Sequence, residues 1–517
     1  MSEQVNNSKS QAGATAREVC IHIARELSTL VKHTLGPNGL DNMLVDTAGD
    51  SVITNDGATI IKQSAIDHAV AKVIMQVAKT QEEQCYDGTT SSLVLTGEMM
   101  ELAAGLLKNK VHPTKIALGF QIAALKAEEF LLDMGAEADE EMLNLVAQTA
   151  MTGKSAEADK EHLAEICVEV AMAAPIEDIN IVQRPNGKVQ ESTAIAGLLI
   201  DGEKLDHVMP DAVENPKIGL IAADIDIPDY AQQLNVQLND NSGVKDFIDS
   251  RNAQLVEIGE RLKETGMNVL FCSRELHPAI IEHLASNNIY AVRRVRRSDM
   301  EALANATEAR IVMNIDTFSS KDLGTSALLE EVNIGERPMI KITGTPNKST
   351  VSVLVRAPTH HVVEEIKRAF DDAIGVVSIA HEDQSVVPGG GAPYMQLSTK
   401  LKEYAATVGG REQMAVEAFA NALEVIPKTL AANSGLDPID AMIALRKAHS
   451  ADDGWQYGVN VNDGSASNML EEKVVEPKRV VAQAIRSAAD ISAQLIRIEL
   501  ITTAKALSEI GDDDFQF

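Results

Sequence analysis

Apolar residues recur at three- and four-residue intervals from Ala16 to His33, through Val19, Ile23, Leu27 and Leu30. That spacing predicts an amphipathic helix, which should stop at Thr34–Gly39, "TLGPNG", where Gly-Pro cannot continue it. Two short strand signals follow, "NMLVD" and "SVITN". Then come "NDGATI" at Asn55–Ile60, a long helical run from Ala65 to Gln81, and a polar cluster. A helix through Leu107 and another beginning near His112-Pro113 complete a mostly helical block that ends near Gly135. From about Lys217 the rhythm changes to alternating strands and helices. "IGLIAADID", "MNVLFC" at Met267–Cys272, "IYAVRRV" at Ile289–Val295 and "ARIVMNI" at Ala309–Ile315 read as the strands of one compact α/β domain. "MIKITG" and "VSVLVRA" add strand signals, and from His361 onward the chain is again mainly helical. A helical start and end around an α/β insert imply that the two ends of the chain share one domain.

At 517 residues the chain exceeds what a single core supports, and two to four domains are expected. Hydrophobic residues make up 45% but aromatic ones only 3%, so the interior should be built from Ala, Val, Ile, Leu and Met. The formal charge of −30 argues against general binding to nucleic acid or anionic membrane and favours solubility. Cys20, Cys85, Cys167 and Cys272 form no CxxC pair, which argues against a zinc site or a disulfide framework and fits a reducing cytosol. The polar N-terminus lacks an apolar signal core, and no apolar run approaches a membrane span. The expected protein is cytoplasmic, with a loose first dozen residues.

The cluster "QCYDGTTSS", Gln84–Ser92, supports two readings. Asp and Ser/Thr cap helix starts, and Gly permits a sharp entry. The same free N–H groups also attract phosphate, with a nearby Asp able to hold magnesium. "MTGKS", Met151–Ser155, ends like a phosphate-binding loop, but Gln148 stands where that loop needs glycine, so the common P-loop reading fails. "RRVRR", Arg293–Arg297, lies in a strand pattern among acidic segments and reads as a charged surface strand. "VPGGGA", Val387–Ala392, is either a loop or a close approach of backbone to a ligand. Asp371 and Asp372 fall in a helical pattern, where a solvated pair is the ordinary expectation.

The order of the motifs is more specific than any one of them. "TLGPNG", "NDGATI", "AKTQEEQCYDGTT", "MTGKS", "YAVRRV", "HHVVEEIKRAFDDAIGVV", "VPGGGA", "VGGREQMAVEAFANALEVIPKTLAANSGLDP", "YGVNV" and "VVEPKRV" together resemble the group II chaperonins, the archaeal thermosome and its eukaryotic cytosolic relatives, over about residues 15–507. The resemblance implies a multidomain α plus α/β chaperonin fold. A mainly helical equatorial ATP-binding domain would comprise 1–139 and 396–517, a small intermediate hinge 140–206 and 357–395, and an α/β apical domain 207–356 carrying a helical protrusion. That protrusion, about 239–264, would be a built-in lid. The implied function is an ATP-driven chaperone that encloses unfolded polypeptides in a homo- or hetero-oligomeric double ring.

The resemblance also assigns residues. Asp87 would ligate Mg2+, while Gly88, Thr89, Thr90 and Ser91 would offer donors to the phosphates. Leu35, Gly36 and Pro37 would sit against the nucleotide. Asp56 and Asp372 match the carboxylates that position or activate the attacking water, and Lys154 a lysine that senses the γ-phosphate. Gly390 and Gly391 match the ribose contact, and Glu476 an acidic residue near it. Several positions depart from the pattern. Tyr86 replaces a glycine before the metal-binding Asp and is expected to adopt ordinary φ with its ring turned away from the nucleotide. Ser91 replaces a Thr, "RIEL" at Arg497–Leu500 replaces "RIDD", and "RAPTHH" at Arg356–His361 replaces a glycine-containing turn. The alternative reading is a nucleotide-binding ring or filament that sequesters clients with little turnover; retention of Asp56, Asp87 and Asp372 favours the folding chamber.

Overall fold

A computed structural model of the chain describes residues 11–45, 51–64, 68–154, 156–225, 241–335, 337–451 and 453–501. Its helices are α1 (Ala14–Lys32), α2 (Gly57–Gln63), α3 (Ala69–Cys85), α4 (Thr89–Lys108), α5 (Pro113–Leu132), α6 (Glu140–Met151) and α7 (Lys160–Ala173). There follow α8 (Asn241–Glu264), α9 (Pro278–Ser286), α10 (Arg297–Thr307), α11 (His360–Asp383), α12 (Ala392–Ala405), α13 (Glu412–Leu423), α14 (Val425–Asn433), α15 (Pro438–Ala448) and α16 (Lys478–Leu495). Local chemistry sets many of the boundaries. His112 and His277 each accept a backbone N–H at the start of α5 and α9, with Pro in the first turn where its missing donor costs nothing. The run expected from Ala65 begins instead at Ala69, capped by His68, and continues to Cys85; residues 65–67 lie outside the described residues, as does most of the N-terminal dozen.

Residues up to Lys160 and from Asp371 onward form one compact unit, and Glu161–Phe370 form the other. The sharing of one unit by both ends of the chain matches the expected arrangement. The expected intermediate segments 140–206 and 357–395 are divided between the two units, so the three-part division stays a proposal.

In the first unit, α4 is buried on most of its faces and packs against α1, α3, α13 and α16. Small residues allow this close packing in a chain poor in aromatics. A Cβ on Gly97 of α4 would overlap Ser28 of α1, and one on Gly119 of α5 would overlap Ala415 of α13. Phe120 and Phe419 meet edge to face across α5 and α13, with ring centroids 5.8 Å apart. Each such fully buried side chain stabilises the fold by roughly 1.5–3 kcal/mol. The strand hairpin Asn42–Val45 and Ser51–Thr54 pairs Met43 with Ile53, as the two short strand signals predicted.

The second unit contains a parallel sheet in the order Tyr290–Val292, Val269–Cys272, Lys217–Ile221, Ile311–Val312. The inner strand "VLFC" and the edge strand "YAV" are buried at every position, which is why they read as apolar runs without alternation. An antiparallel sheet joins Leu198–Asp201, Arg337–Thr343, Leu328–Ile334 and Ala212–Glu214. The basic run Arg293–Arg297 is not a surface strand. The strand stops at Val292, Arg294 turns the chain with φ 57, Arg296 caps α10, and Arg297 is already helical. Arg293 and Arg294 both pair with Glu275, and Arg297 pairs with Glu301. Arg294 N–H donates to Arg274 O at 3.2 Å and Val295 N–H to Cys272 O at 3.1 Å, ties to a distant segment that the local alternation cannot show.

Of the expected lid, Asn239 and Asp240 lie outside the described residues, and 241–264 is one helix. Leu255 and Leu262 of α8 are buried with Ile280 and Leu284 of α9. The C-terminal half of that helix is therefore core of the second unit, a correction to a lid drawn as far as Glu264.

Candidate functional site

The site is assembled entirely within the first unit. The Thr34–Gly39 turn reverses the chain after α1, with Gly36 at φ 88 and Gly39 N–H donating to its carbonyl at 3.0 Å. Asn433, at the end of α14, donates to Lys32 O at 3.0 Å and Leu35 O at 2.8 Å, satisfying carbonyls that the end of α1 leaves open. Gly153, at φ 77 in the turn after α6, lies against Pro37: a Cβ there would stand 3.1 Å from Pro37 Cα. Asn55 Nδ2 donates to Gly153 O at 2.8 Å. Leu35, Gly36 and Pro37 thus meet the Asn55-Asp56 and Gly153-Lys154 segments.

Asp56 does two things at once. Its Oδ2 accepts Thr59 N–H at 2.7 Å, capping α2, and its Oδ1 accepts the Thr89 hydroxyl at 3.3 Å. Gly57 permits this approach, because a Cβ there would be 2.7 Å from Thr90 Oγ1. On the other side, Asp87 Oδ1 accepts Gly88 N–H at 2.7 Å, and buried Gln81 donates to Asp87 O at 2.9 Å and to Val480 O of α16 at 3.2 Å. Gly88 caps α4 at φ 80 without a side-chain bond, so the N–H groups of Thr89, Thr90 and Ser91 stand in a first turn that no side chain caps. Gly391 caps α12 in the same way, at φ 76 after Gly390 at φ 62. The glycine triplet brings backbone close to backbone: Gly390 O accepts Val459 N–H at 2.9 Å, and Gly389 N–H donates to Val474 O at 2.8 Å.

Lys154 Nζ donates to Asp372 Oδ2 at 2.7 Å, joining residues 218 apart in the chain. The ordinary expectation of a solvated Asp371-Asp372 pair therefore fails for Asp372. Burial pushes its carboxyl up to about 6, with Asp87 and Asp56 adding to the rise and Lys154 opposing it. Burial works against the charge of Lys154, but Asp372, Asp87 and Asp56 outweigh it and hold the amine above its ordinary value. Glu476, paired across the sheet with Val387, is pushed up to about 8, first by burial and then by Asp87. Asp372, Asp87 and Asp56 thus surround the amine of Lys154, with Glu476 beside Asp87.

That surplus of negative charge, next to unfilled phosphate donors, suits a divalent cation carried with a phosphate. Among the described residues no group of three or more His, Cys, Asp or Glu forms a cage for a metal by itself. Magnesium does not need one, since one or two carboxylates with substrate phosphates and water commonly complete its shell. Asp87 fits that part.

Sequence reasoning missed two members of the site. Tyr394, in the first turn of α12, is buried and hydrogen-bonded to Ser91, and burial holds its phenol protonated. Gln81, a fully buried amide inside α3, is the second; a polar residue at an inward-facing helical position was the available signal for it.

Tyr86 corrects one expectation and matches another. Its backbone is left-handed, φ 58 and ψ −5, not ordinary, because the chain must turn from α3 into α4 within three residues and Tyr86 N–H still closes α3 onto Glu82 O at 3.0 Å. A side chain there costs roughly 1–2 kcal/mol. The ring offsets that by packing with Cys85, Ile379 of α11 and Val480 of α16.

The TCP-1/cpn60 chaperonin family matches residues 27–506. A thermosome subunit of Methanopyrus kandleri is 43% identical over 510 residues, covering 96% of this chain and 93% of that protein. One from Methanocaldococcus jannaschii is 41% identical over 529 residues, covering 98% of each. The thermosome subunit beta of Archaeoglobus fulgidus is 42% identical, covering 96% and 93%. Among solved structures, the open-state monomer of a group II chaperonin from Methanococcoides burtonii aligns with TM-score 0.66 and 37% identity, over 80% of this chain and all of that one.

Proposed function

Since this chain belongs to the TCP-1/cpn60 chaperonin family, we propose that it is an ATP-hydrolysing subunit of a double-ring folding chamber. Its broad role is that of an ATP-dependent chaperonin subunit acting on polypeptide clients. The hydrolytic chemistry is the finer reading, and one observation carries it: Lys154, Asp372, Asp56 and Asp87 converge beside the uncapped N-terminus of α4.

The roles follow from that arrangement. The N–H groups and hydroxyls of Thr89, Thr90 and Ser91 hold phosphate oxygens at the positive end of α4. Leu35, Gly36 and Pro37 flank the nucleotide, while Gly390, Gly391 and Glu476 serve the ribose. Bound through Asp87, Mg2+ would neutralise phosphate charge. Asp372 accepts a proton from the attacking water, and its raised value near 6 suits a base that works close to neutrality. Asp56, with one oxygen held by Thr59, orients that water with the other. Lys154 keeps Asp372 ionised and answers the γ-phosphate. Phosphoryl transfer needs positioning and charge more than covalent chemistry, and these groups supply both.

The reading includes a homo- or hetero-oligomeric ring, a three-domain division with the apical domain at 207–356, and a cytoplasmic setting. The four free cysteines, all buried, support a reducing compartment. Among the described residues no helix is long and apolar enough to cross a membrane. Asp372→Ala should leave nucleotide affinity within a few-fold while cutting hydrolysis by about two orders of magnitude. Equal hydrolysis in both chains would refute the assignment. ATP-dependent refolding of a denatured client by the unaltered chain separates a folding chamber from a holdase.

A further inference from the structure

Helix α11 carries Asp372, and three residues later Gly375. Residues 372, 375 and 379 lie on one stripe of that helix, within about two turns. Tyr86 sits directly on this stripe. A Cβ on Gly375 would overlap Cγ and both Cδ atoms of the Tyr86 ring, and the same ring packs with Ile379 of α11, Val480 of α16 and Cys85. Tyr86 is also the residue immediately before Asp87, in the left-handed turn whose other end is Gly88. One aromatic ring therefore separates the segment that carries Asp87 from the helix that carries Asp372.

We infer that Tyr86 and Gly375 form a knob and socket that sets the spacing between the Asp87 turn and α11, making Tyr86 a positioning residue for Asp372. The ring is stiff, has two rotatable bonds, and meets bare backbone at Gly375. Any side chain at 375 must displace the ring or the helix, because close-packed interiors do not absorb an extra methyl freely. The left-handed backbone at Tyr86 points the ring at the helix, so the strain of the turn and the fit of the socket belong to one device. Asp372 touches the chemistry; Tyr86 acts through α11. This inference rests on the proposed roles of Asp87 and Asp372 in hydrolysis.

The test uses the full chain with Tyr86→Phe, Tyr86→Ala, Gly375→Ala and the Tyr86→Ala/Gly375→Ala pair. Steady-state hydrolysis should show Tyr86→Phe within twofold of the unaltered chain. Tyr86→Ala should lower kcat about tenfold, as expected for a sub-ångström to ångström misplacement, with KM for MgATP within about threefold because the donors of α4 are untouched. Thermal melts without nucleotide and in EDTA provide the second readout. Gly375→Ala should lower the melting temperature by several degrees when Tyr86 is present and by much less in the Tyr86→Ala chain, a non-additivity that signals direct contact. Strictly additive melting shifts, or a Tyr86→Ala chain that melts lower yet keeps full kcat, would show the ring to be core filling only. An Asp372→Ala chain as active as the unaltered one overturns the hydrolytic reading itself; loss of activity there with full kcat in Tyr86→Ala overturns this inference alone.

Discussion

Replacing Lys154 tests the electrostatics of the site most directly. Its Nζ lies 2.7 Å from Asp372 Oδ2 and is the main influence holding that carboxyl down to about 6 against burial. An adjacent opposite charge is worth about 1–3 pKa units to a carboxylate. Lys154→Ala should therefore move the Asp372 titration to roughly 7–9. A base must be ionised to accept a proton, so kcat/KM for MgATP hydrolysis should fall on the acid side with a midpoint near 6 in the unaltered chain. In Lys154→Ala that limb should shift toward alkaline pH. For a shift of about two units, the ionised fraction at pH 7 drops about tenfold and returns by pH 9. The profile of kcat/KM is the right measure because it reports groups of the free protein. Titration of the γ-phosphate is common to both chains and cancels in the comparison. Loss of phosphate contact in the variant lowers the plateau without moving the limb. Lys154→Arg, which keeps the charge, should hold the limb near its original position. An acid limb at the same pH in Lys154→Ala and the unaltered chain would refute the pairing as the control on Asp372.

Asp56→Asn keeps an acceptor for Thr59 N–H and so should preserve the α2 cap and the melting temperature while reducing hydrolysis; Asp56→Ala should lose about 1 kcal/mol of stability as well, read by urea titration. Glu424 is buried between α13 and α14; burial pushes its carboxyl up, but Lys402, Lys428 and Arg446 overcome this and hold it at about 2. Its folded value lies below its unfolded one, so its contribution is present above about pH 4.5 and disappears as pH falls toward 2. Glu424→Gln should cost about 1.5–3 kcal/mol at pH 7 and flatten that part of the acid-denaturation curve; an unchanged curve would count against it. For the lid, a truncation that keeps residues 255–264 should retain ATPase and lose ATP-dependent protection of client from protease, whereas removal through Glu264 should also destabilise the second unit, since Leu255 and Leu262 are in its core.

Features governed by near neighbours were legible in the sequence. The Gly-Pro stop after α1, the His-Pro start of α5, the apolar runs of the parallel strands and the N-terminal turn of α4 each depend on a few consecutive residues. So did the glycine- and hydroxyl-rich motifs at the starts of α4 and α12, and the order of the motifs pointed to the family. Folding alone decided what depended on residues far apart. Lys154 meets Asp372 only because the turn after α6 and the helix α11 come together, and that meeting, not the local "FDDA" pattern, makes Asp372 a partly buried, ion-paired carboxyl. Arg293–Arg296 leave the strand pattern for a turn held to Arg274 and Cys272 by backbone hydrogen bonds, before α10 begins at Arg297. The left-handed backbone of Tyr86 is set by the tight turn between α3 and α4, and a glycine 289 positions later leaves room for its ring. Local propensity is a matter of tenths to a few kcal/mol per residue, small enough for burial and charge pairing across the fold to override it.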